Sequence, residues 1–166
     1  GHNSDESHYN LNEEKFSTVK DLFEKIKKNI KNYEIIIHAA AVSDFTINNR
    51  HSTKIKSNKE LQLELAPATK IFEKLKKMNE KIFLVGFKAE HNVPKNRLIG
   101  SAYSILKKAN ADLVVANDVG KIGRGFDVDT NEVFIVNKDK KVRHIRLAGK
   151  RIVADRLLDI IIAEIR

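Results

Sequence analysis

The chain contains no cysteine. That excludes disulfides, thiolate metal sites and a cysteine nucleophile. Aromatic residues make up only 7% of it, and few lie among the lysines, which argues against a stacking platform for single-stranded nucleic acid. No apolar run is long enough to span a membrane, and the first residues lack the basic-then-apolar order of a signal peptide. A cytoplasmic enzyme or binding domain without a membrane partner is the expectation. No glycine-rich phosphate loop of the GxGxxG or GxxxxGK type is present. Gly120, Gly123 and Gly125 do not follow a strand and open a helix. Helix-turn-helix, zinc-finger and RNA-recognition signatures are missing as well. The histidines predict no metal site: His2 and His8 lie in a polar N-terminal stretch, and His38, His51, His91 and His144 share no helical spacing.

What is present is enough chain, 166 residues, for one domain with a real core. The net charge of +9 suits an anionic partner, either nucleic acid or a phosphorylated small molecule. The lysines are scattered, as on a solvated surface, so nucleic acid is not expected. Residues 1–10 read as a tail or linker and residues 11–166 as the folded domain.

Phe16, Val19, Leu22, Phe23, Ile26 and Ile30 have the spacing of an amphipathic helix. A short β-branched run at Ile35–His38 reads as a buried strand. Leu61, Leu63 and Leu65 alternate with polar residues, which predicts a half-buried strand ended by Pro67. Ile71, Phe72, Leu75 and Met78 form the stripe of a short helix. Buried strands are expected at Ile82–Phe87 and Leu113–Ala116, with a helix over Leu98–Lys108 between them. Glu132–Val136 and Val142–Leu147 read as a hairpin turning at Asn137-Lys138-Asp139-Lys140. A last helix, from about Lys150, is expected to cover the sheet. This order gives an α/β fold: a mainly parallel sheet flanked by helices, with a C-terminal β-hairpin.

Three strands end in small or polar residues, at Ala39-Ala40-Ala41 leading to Asp44, at Gly86-Phe87 leading to Glu90, and at Asn117-Asp118. Open α/β sheets bind ligands beyond the carboxyl ends of their strands. The alanines leave the backbone open to a ligand, and Asp44 either meets that ligand or caps a following helix. Lys54 and Lys56 point to one side of an extended segment and either clamp phosphate or lie in solvent. Phe87 either stacks on a base or fills the core. Lys107 and Lys108 suit a helix C-terminus, and Asn117 and Asp118 suit a turn cap.

Taken in order, four pieces resemble phosphopantothenoylcysteine synthetase, the phosphopantothenate–cysteine ligase of coenzyme A biosynthesis. They are His38-Ala39-Ala40-Ala41-Val42-Ser43-Asp44-Phe45, Lys54-Ile55-Lys56, Val85-Gly86-Phe87-Lys88-Ala89-Glu90 and Ala111–Asp118. Gly125-Phe126-Asp127 leading to Asn131-Glu132-Val133 is a weaker match. The lysine-rich, cysteine-free style looks archaeal or thermophilic.

The resemblance implies a Rossmann-like fold and a magnesium-assisted reaction. The carboxylate of 4′-phosphopantothenate is activated by CTP as a cytidylyl acyl phosphate, and cysteine then attacks. It implies a homodimer, and a fused or partner decarboxylase that would carry FMN; no FMN site is expected in this chain. It assigns nucleotide contacts to His38, Ala39, Ala40, Asp44 and Phe87, and gives Lys54 the catalytic place at the base of a flap, here 56–60. The family's Asn-Pro-Asp-Ile stretch falls at Ala68-Thr69-Lys70-Ile71, so its contacts fall on Thr69, Lys70, Ile71 and Phe72, with Lys70 where the family has Asp. A lysine pair on the next helix falls at Lys107 and Lys108. Family members begin with a strand, a glycine-rich turn and an Asn-rich segment. None precedes the first helix here, so the sequence reads as an N-terminally truncated ligase domain. A nicotinamide-dependent oxidoreductase is the alternative enzyme class, and a basic nucleic-acid-binding module the non-enzymatic one. Neither the choice of CTP over ATP nor the oligomeric state is fixed by the residues.

Overall fold

The computed structural model describes residues 12–47, 62–125 and 127–166. Lys54, Lys56, the 56–60 flap, His51, Phe126 and the 1–10 tail lie outside the described residues. The chain forms two compact units, one from residues 1–28 and 40–71 and the other from 29–39 and 72–166.

The first unit carries most of helix α1 (Val19–Asn29) and a two-stranded sheet of β2 (Phe45–Ile47) and β3 (Leu65–Pro67). The helix begins three residues later than the apolar spacing from Phe16 suggested, because Thr18 caps it. The Thr18 hydroxyl accepts from the Asp21 N–H at 3.1 Å, while the Asp21 carboxylate accepts from the Ser17 N–H at 3.1 Å. Phe16 is left outside the helix and exposed. Strands β2 and β3 pair antiparallel, Phe45 opposite Pro67 and Ile47 opposite Leu65. The half-buried strand expected at Leu61–Leu65 is corrected here. Residues 62–64 are irregular, Leu63 and Leu65 are exposed, and the strand starts only at Leu65. Pairing with Phe45–Ile47, not alternation, decides where it forms.

The second unit is a five-stranded sheet, ordered β1 (Ile35–His38), β4 (Phe83–Glu90), β5 (Leu113–Asp118), β6 (Thr130–Asn137), β7 (Val142–Gly149). Strands β1, β4 and β5 are parallel, and β6 and β7 form the expected antiparallel hairpin. Strand β5 is an almost unbroken buried run, as a central strand covered on both faces must be. The hairpin turns on Asn137. Its Oδ1 accepts from the Asp139 and Lys141 N–H groups, and Lys140 takes a positive φ of 62°.

Helix α4 (Lys150–Ile165) packs Val153, Leu157 and Ile161 on Val85, Leu113, Val115, Val133, Ile135 and Ile145. Only that stripe is buried; Ile152, Leu158, Ile162 and Ile165 stay about half exposed. Helices α2 (Phe72–Met78) and α3 (Lys95–Ala109) complete the unit. Strand alternation puts Gly86 on the face opposite Val85, and there the Phe72 ring of α2 lies against it. Helix α3 starts after the carboxyl end of β4 and ends just before β5. Asn110 closes it in the left-handed conformation, with its N–H on the carbonyls of Leu106 and Lys107.

Candidate functional site

The carboxyl edge of β1, β4 and β5 gathers most of the unusual chemistry of the second unit. His38 pairs with Gly86 and Glu90 with Asp118, so β4 runs past the end of β1 and Phe87–Glu90 pair with β5 alone. Phe87 is 41% exposed there. A Cβ on Gly86 would lie 2.2 Å from the Phe72 ring, so the glycine is what lets that ring rest on the sheet. His38 shares this contact: its ring centroid is 5.7 Å from that of Phe72, tilted by 48°. The His38 Nε2 is closed off from water and has no hydrogen-bond partner among the described residues. Burial holds the imidazole below the ordinary histidine pKa, and a hydrogen bond to its own backbone offsets this only in part.

The second and third strand ends are held by Asp118, which is buried. Its carboxylate accepts from the N–H groups of Asn92 at 2.8 Å, Val93 at 3.3 Å and Gly120 at 3.0 Å, tying the turn after β4 to the turn after β5. Burial alone would raise its pKa, but these donors and the Lys121 ammonium outweigh it and hold the carboxyl below the usual range. Asp118 therefore acts as a turn cap, with its acceptor capacity spent on structure. Beside it Asn117 donates to Asn131 at 3.4 Å, and Lys88 pairs with Glu90 at 3.3 Å.

Across β6 and β7, Glu132 bridges Arg124 and His144. The His144 ring stacks on Phe134 at 4.4 Å, and the Lys95 ammonium lies 5.0 Å from the Phe134 ring centre. This cluster was not foreseen from sequence, because its members come from a loop, two strands and a helix start.

The amino end of the same sheet has a different character. Asp112 accepts from Lys76 at 2.8 Å, Lys138 at 2.6 Å and the Leu84 N–H at 2.7 Å. Burial works against its ionisation, but the Leu84 N–H, Lys138 and Lys76 hold its pKa low. A cleft of about 830 Å³, lined in part by Tyr33, Ile35, Met78 and Phe83, opens at this end. There the buried Lys76 ammonium and the half-buried Asp112 carboxylate pair with each other, and Asp112 is further held by Lys138 and Leu84.

Among the residues singled out from sequence, the second unit brings His38 and Phe72 into contact, with exposed Ala39 next to His38 and Phe87 next to Gly86. Lys107 and Lys108 are exposed on the last turn of α3, at the amino end of the strands, and are not brought to this edge. In the first unit the Ala68 N–H donates to the Asp44 carbonyl at 2.8 Å, which sets Asp44 beside the Thr69–Ile71 stretch. Asp44, Ala40, Thr69 and Lys70 are exposed and Ile71 is buried. Asp44 caps no helix, since β2 follows it directly. Lys54 lies outside the described residues. Among the described residues no three His, Asp or Glu side chains gather to hold a metal ion.

The chain matches the family model described as the DNA/pantothenate metabolism flavoprotein C-terminal domain over residues 1–165. It is 39% identical over 150 residues to the coenzyme A biosynthesis bifunctional protein CoaBC of Thermococcus kodakarensis, covering 89% of this chain and 36% of that protein. The protein of the same name from Methanocaldococcus jannaschii is 35% identical over 130 residues, covering 78% of this chain and 32% of that one. The chain thus spans about a third of the length of these curated relatives. Its fold matches the crystal structure of the DNA/pantothenate metabolism flavoprotein from Streptococcus pneumoniae with a TM-score of 0.81 and 29% identity, over 96% of this chain and 76% of that one. A Rossmann-like sheet with this edge chemistry, matched along nearly its whole length, belongs to the DNA/pantothenate metabolism flavoprotein C-terminal domain family.

Proposed function

We propose that this chain is the ligase part of a coenzyme A biosynthesis flavoprotein, joining 4′-phosphopantothenate to cysteine at the expense of CTP. The substrate carboxylate attacks the α-phosphorus of CTP and pyrophosphate leaves. The cysteine amine then attacks the acyl carbon of the mixed anhydride. CMP leaves, the nitrogen loses a proton, and the amide of 4′-phosphopantothenoylcysteine remains.

One observation carries the reading: the His38 and Phe72 rings in tilted contact, with Phe72 seated on Gly86, at the carboxyl edge of parallel strands. Open α/β sheets take nucleotides at that edge, and the relatives are named for coenzyme A biosynthesis. In this reading His38, Ala39, Phe72 and Phe87 contact the nucleotide. The family correspondence assigns contacts also to Ala40, Asp44, Thr69, Lys70 and Ile71. Lys54 offsets charge that develops on the triphosphate during nucleotidyl transfer. Magnesium, when bound, would neutralise phosphate oxygens. The described residues offer it no cage of their own, so the triphosphate and water are its natural ligands, and no step here is routed through it.

The reading includes a cytoplasmic homodimer, with a fused or separate FMN-dependent decarboxylase supplied by another part of the protein or another chain. No helix among the described residues is long and apolar enough to cross a membrane. The family match leaves the nicotinamide-dependent alternative without support.

The test is a thermal-shift titration with CTP and with ATP, each with magnesium, on this protein and on Lys54→Ala. A ligand at a hundred times its Kd stabilises by about 2.7 kcal/mol. The expected result is a shift with CTP, smaller with ATP and reduced in Lys54→Ala. No shift with either nucleotide would overturn nucleotide binding by this chain.

A further inference from the structure

Glu132 stands where three segments of the carboxyl edge meet. Strand β6 leaves β5 after Phe134, which pairs with Ala116, while β4 stays paired with β5 as far as Asp118. Past that point side chains link β5 to β6. Asn117 donates to the Asn131 Oδ1, which also accepts from the Glu132 N–H at 2.9 Å. On the other side β7 bulges: between the pairs Asn131–Ala148 and Val133–Ile145, Glu132 lies opposite two residues, Arg146 and Leu147. Bulges re-aim side chains and concentrate beside active sites.

The Glu132 carboxylate takes Arg124 from the loop after β5 and His144 from β7. His144 stacks on Phe134, and the Lys95 ammonium at the start of α3 lies over the same ring. Loop 119–125 is tied at two further points. The Gly120 N–H donates to Asp118, and the Gly123 carbonyl accepts from the Thr130 hydroxyl at 2.6 Å. The Arg124 side chain is mostly buried, and its Nε is shut away from water with no partner among the described residues. Glu132 is therefore what offsets the burial of this guanidinium.

A buried ion pair adds little stability over apolar side chains of the same size. Its worth here is placement. Lys88, Ala116 and Phe134 are in register, and strand alternation puts Lys88 on the face of Gly86. The cluster thus shares a sheet face, as well as an edge, with the Phe72 ring. Three strand spacings separate β1 from β6, about 14 Å, a span that an extended nucleoside triphosphate bridges. Resting on the nucleotide reading above, we propose that Glu132 is a positioning residue: through Arg124 it holds loop 119–125 as the far wall of the nucleotide crevice, opposite the corner formed by His38 and Phe72.

The experiment titrates wild type, Glu132→Ala, Glu132→Gln and Arg124→Ala with CTP and magnesium by thermal shift, and follows hydrogen exchange over 119–125 without ligand. Asp112→Asn, at the amino end of the sheet, is the control for lost stability alone. The expected result is faster exchange over 119–125 and CTP affinity about tenfold weaker in Glu132→Ala and in Arg124→Ala. Glu132→Gln, which still accepts from Arg124, recovers most of both. Asp112→Asn lowers the ligand-free Tm and keeps wild-type CTP affinity. The double variant Arg124→Ala/Glu132→Ala binds CTP no worse than either single variant, because both break one contact. Where Glu132→Ala does not fold, Arg124→Ala and Glu132→Gln carry the comparison. Wild-type CTP affinity or unchanged exchange in the alanine variants overturns the proposal alone, and so does an equal loss of affinity in Asp112→Asn. A wild type that responds to no nucleotide overturns the functional reading and this inference with it.

Discussion

The Phe72 ring occupies the space that a side chain at Gly86 would need, with a built Cβ falling 2.2 Å from the ring. Gly86 sits in a buried strand at an ordinary backbone angle, so the constraint is the close approach of the ring and not backbone freedom. Gly86→Ala must push Phe72 off the sheet. Overpacking of this kind costs about 1–3 kcal/mol. The expected outcome is a lower urea midpoint for Gly86→Ala, partly restored in the double variant with Phe72→Leu, whose smaller side chain can yield. Additive losses in the double variant would mean that the two positions do not share the strain.

Asp118 joins two turns through three main-chain donors. Asp118→Ala leaves those N–H groups unpaired, at a cost on the order of 2–4 kcal/mol. The pH dependence has a definite sign. The native carboxyl is held below its ordinary value, so its contribution is fully present above the unfolded pKa near 4. It is lost as pH falls through the native value. Urea midpoints measured between pH 7 and pH 3 should drop more steeply for wild type than for Asp118→Asn. Parallel curves would deny Asp118 this role.

At the opposite edge, Lys76 and Asp112 predict an asymmetry. Lys76 is 8% exposed, and Asp112 is its carboxylate partner at 2.8 Å. Removing Lys76 leaves Asp112 still bonded to Lys138 and the Leu84 N–H. Removing Asp112 leaves the buried ammonium without its carboxylate, facing the Glu80 carbonyl at 3.4 Å, and breaking a buried pair in this way costs about 3–5 kcal/mol. Asp112→Ala should therefore destabilise clearly more than Lys76→Met, whose stem keeps the packing. Equal losses by chemical denaturation would show that the pair is not coupled as the geometry indicates.

The sequence made the central sheet legible because β4 and β5 are apolar runs too short for helices, and a run buried on both faces announces itself. Strand β1 was expected to be buried as well, but as the edge strand it leaves Ile35 and Ile37 exposed, since among the described residues no strand covers its outer side. The hairpin was legible through Asn137, whose side chain writes the turn locally. The bland reading of Asp118 as a turn cap also proved right, since its partners lie in adjacent turns. Strand β2 was missed because Phe45–Ile47 is three residues long and its reason for being extended is a partner beyond Gln62. The alternating leucines misled for the same reason: period two describes a half-buried strand only where a core lies on one side, and Leu63 and Leu65 have none. The contact of Phe72 with Gly86 and His38 was out of reach, because it depends on packing between segments that no local pattern connects.

Placement along α3 yields the last prediction. Lys107 and Lys108 match a family lysine pair by order in the sequence, yet α3 carries them to the amino end of β5. A helix of 15 residues spans about 22 Å. The Lys107 ammonium lies 5.9 Å from the Tyr103 ring centre and that of Lys140 4.8 Å, so this end has its own local partners. Exposed charges more than about 8–10 Å apart are largely screened at physiological salt. The double variant Lys107→Ala/Lys108→Ala should leave the CTP-induced thermal shift within error of wild type at 0.15 M salt, while Lys54→Ala reduces it. A loss of response in the α3 variant equal to that of Lys54→Ala would put the triphosphate at the amino end of the sheet and overturn the carboxyl-edge site.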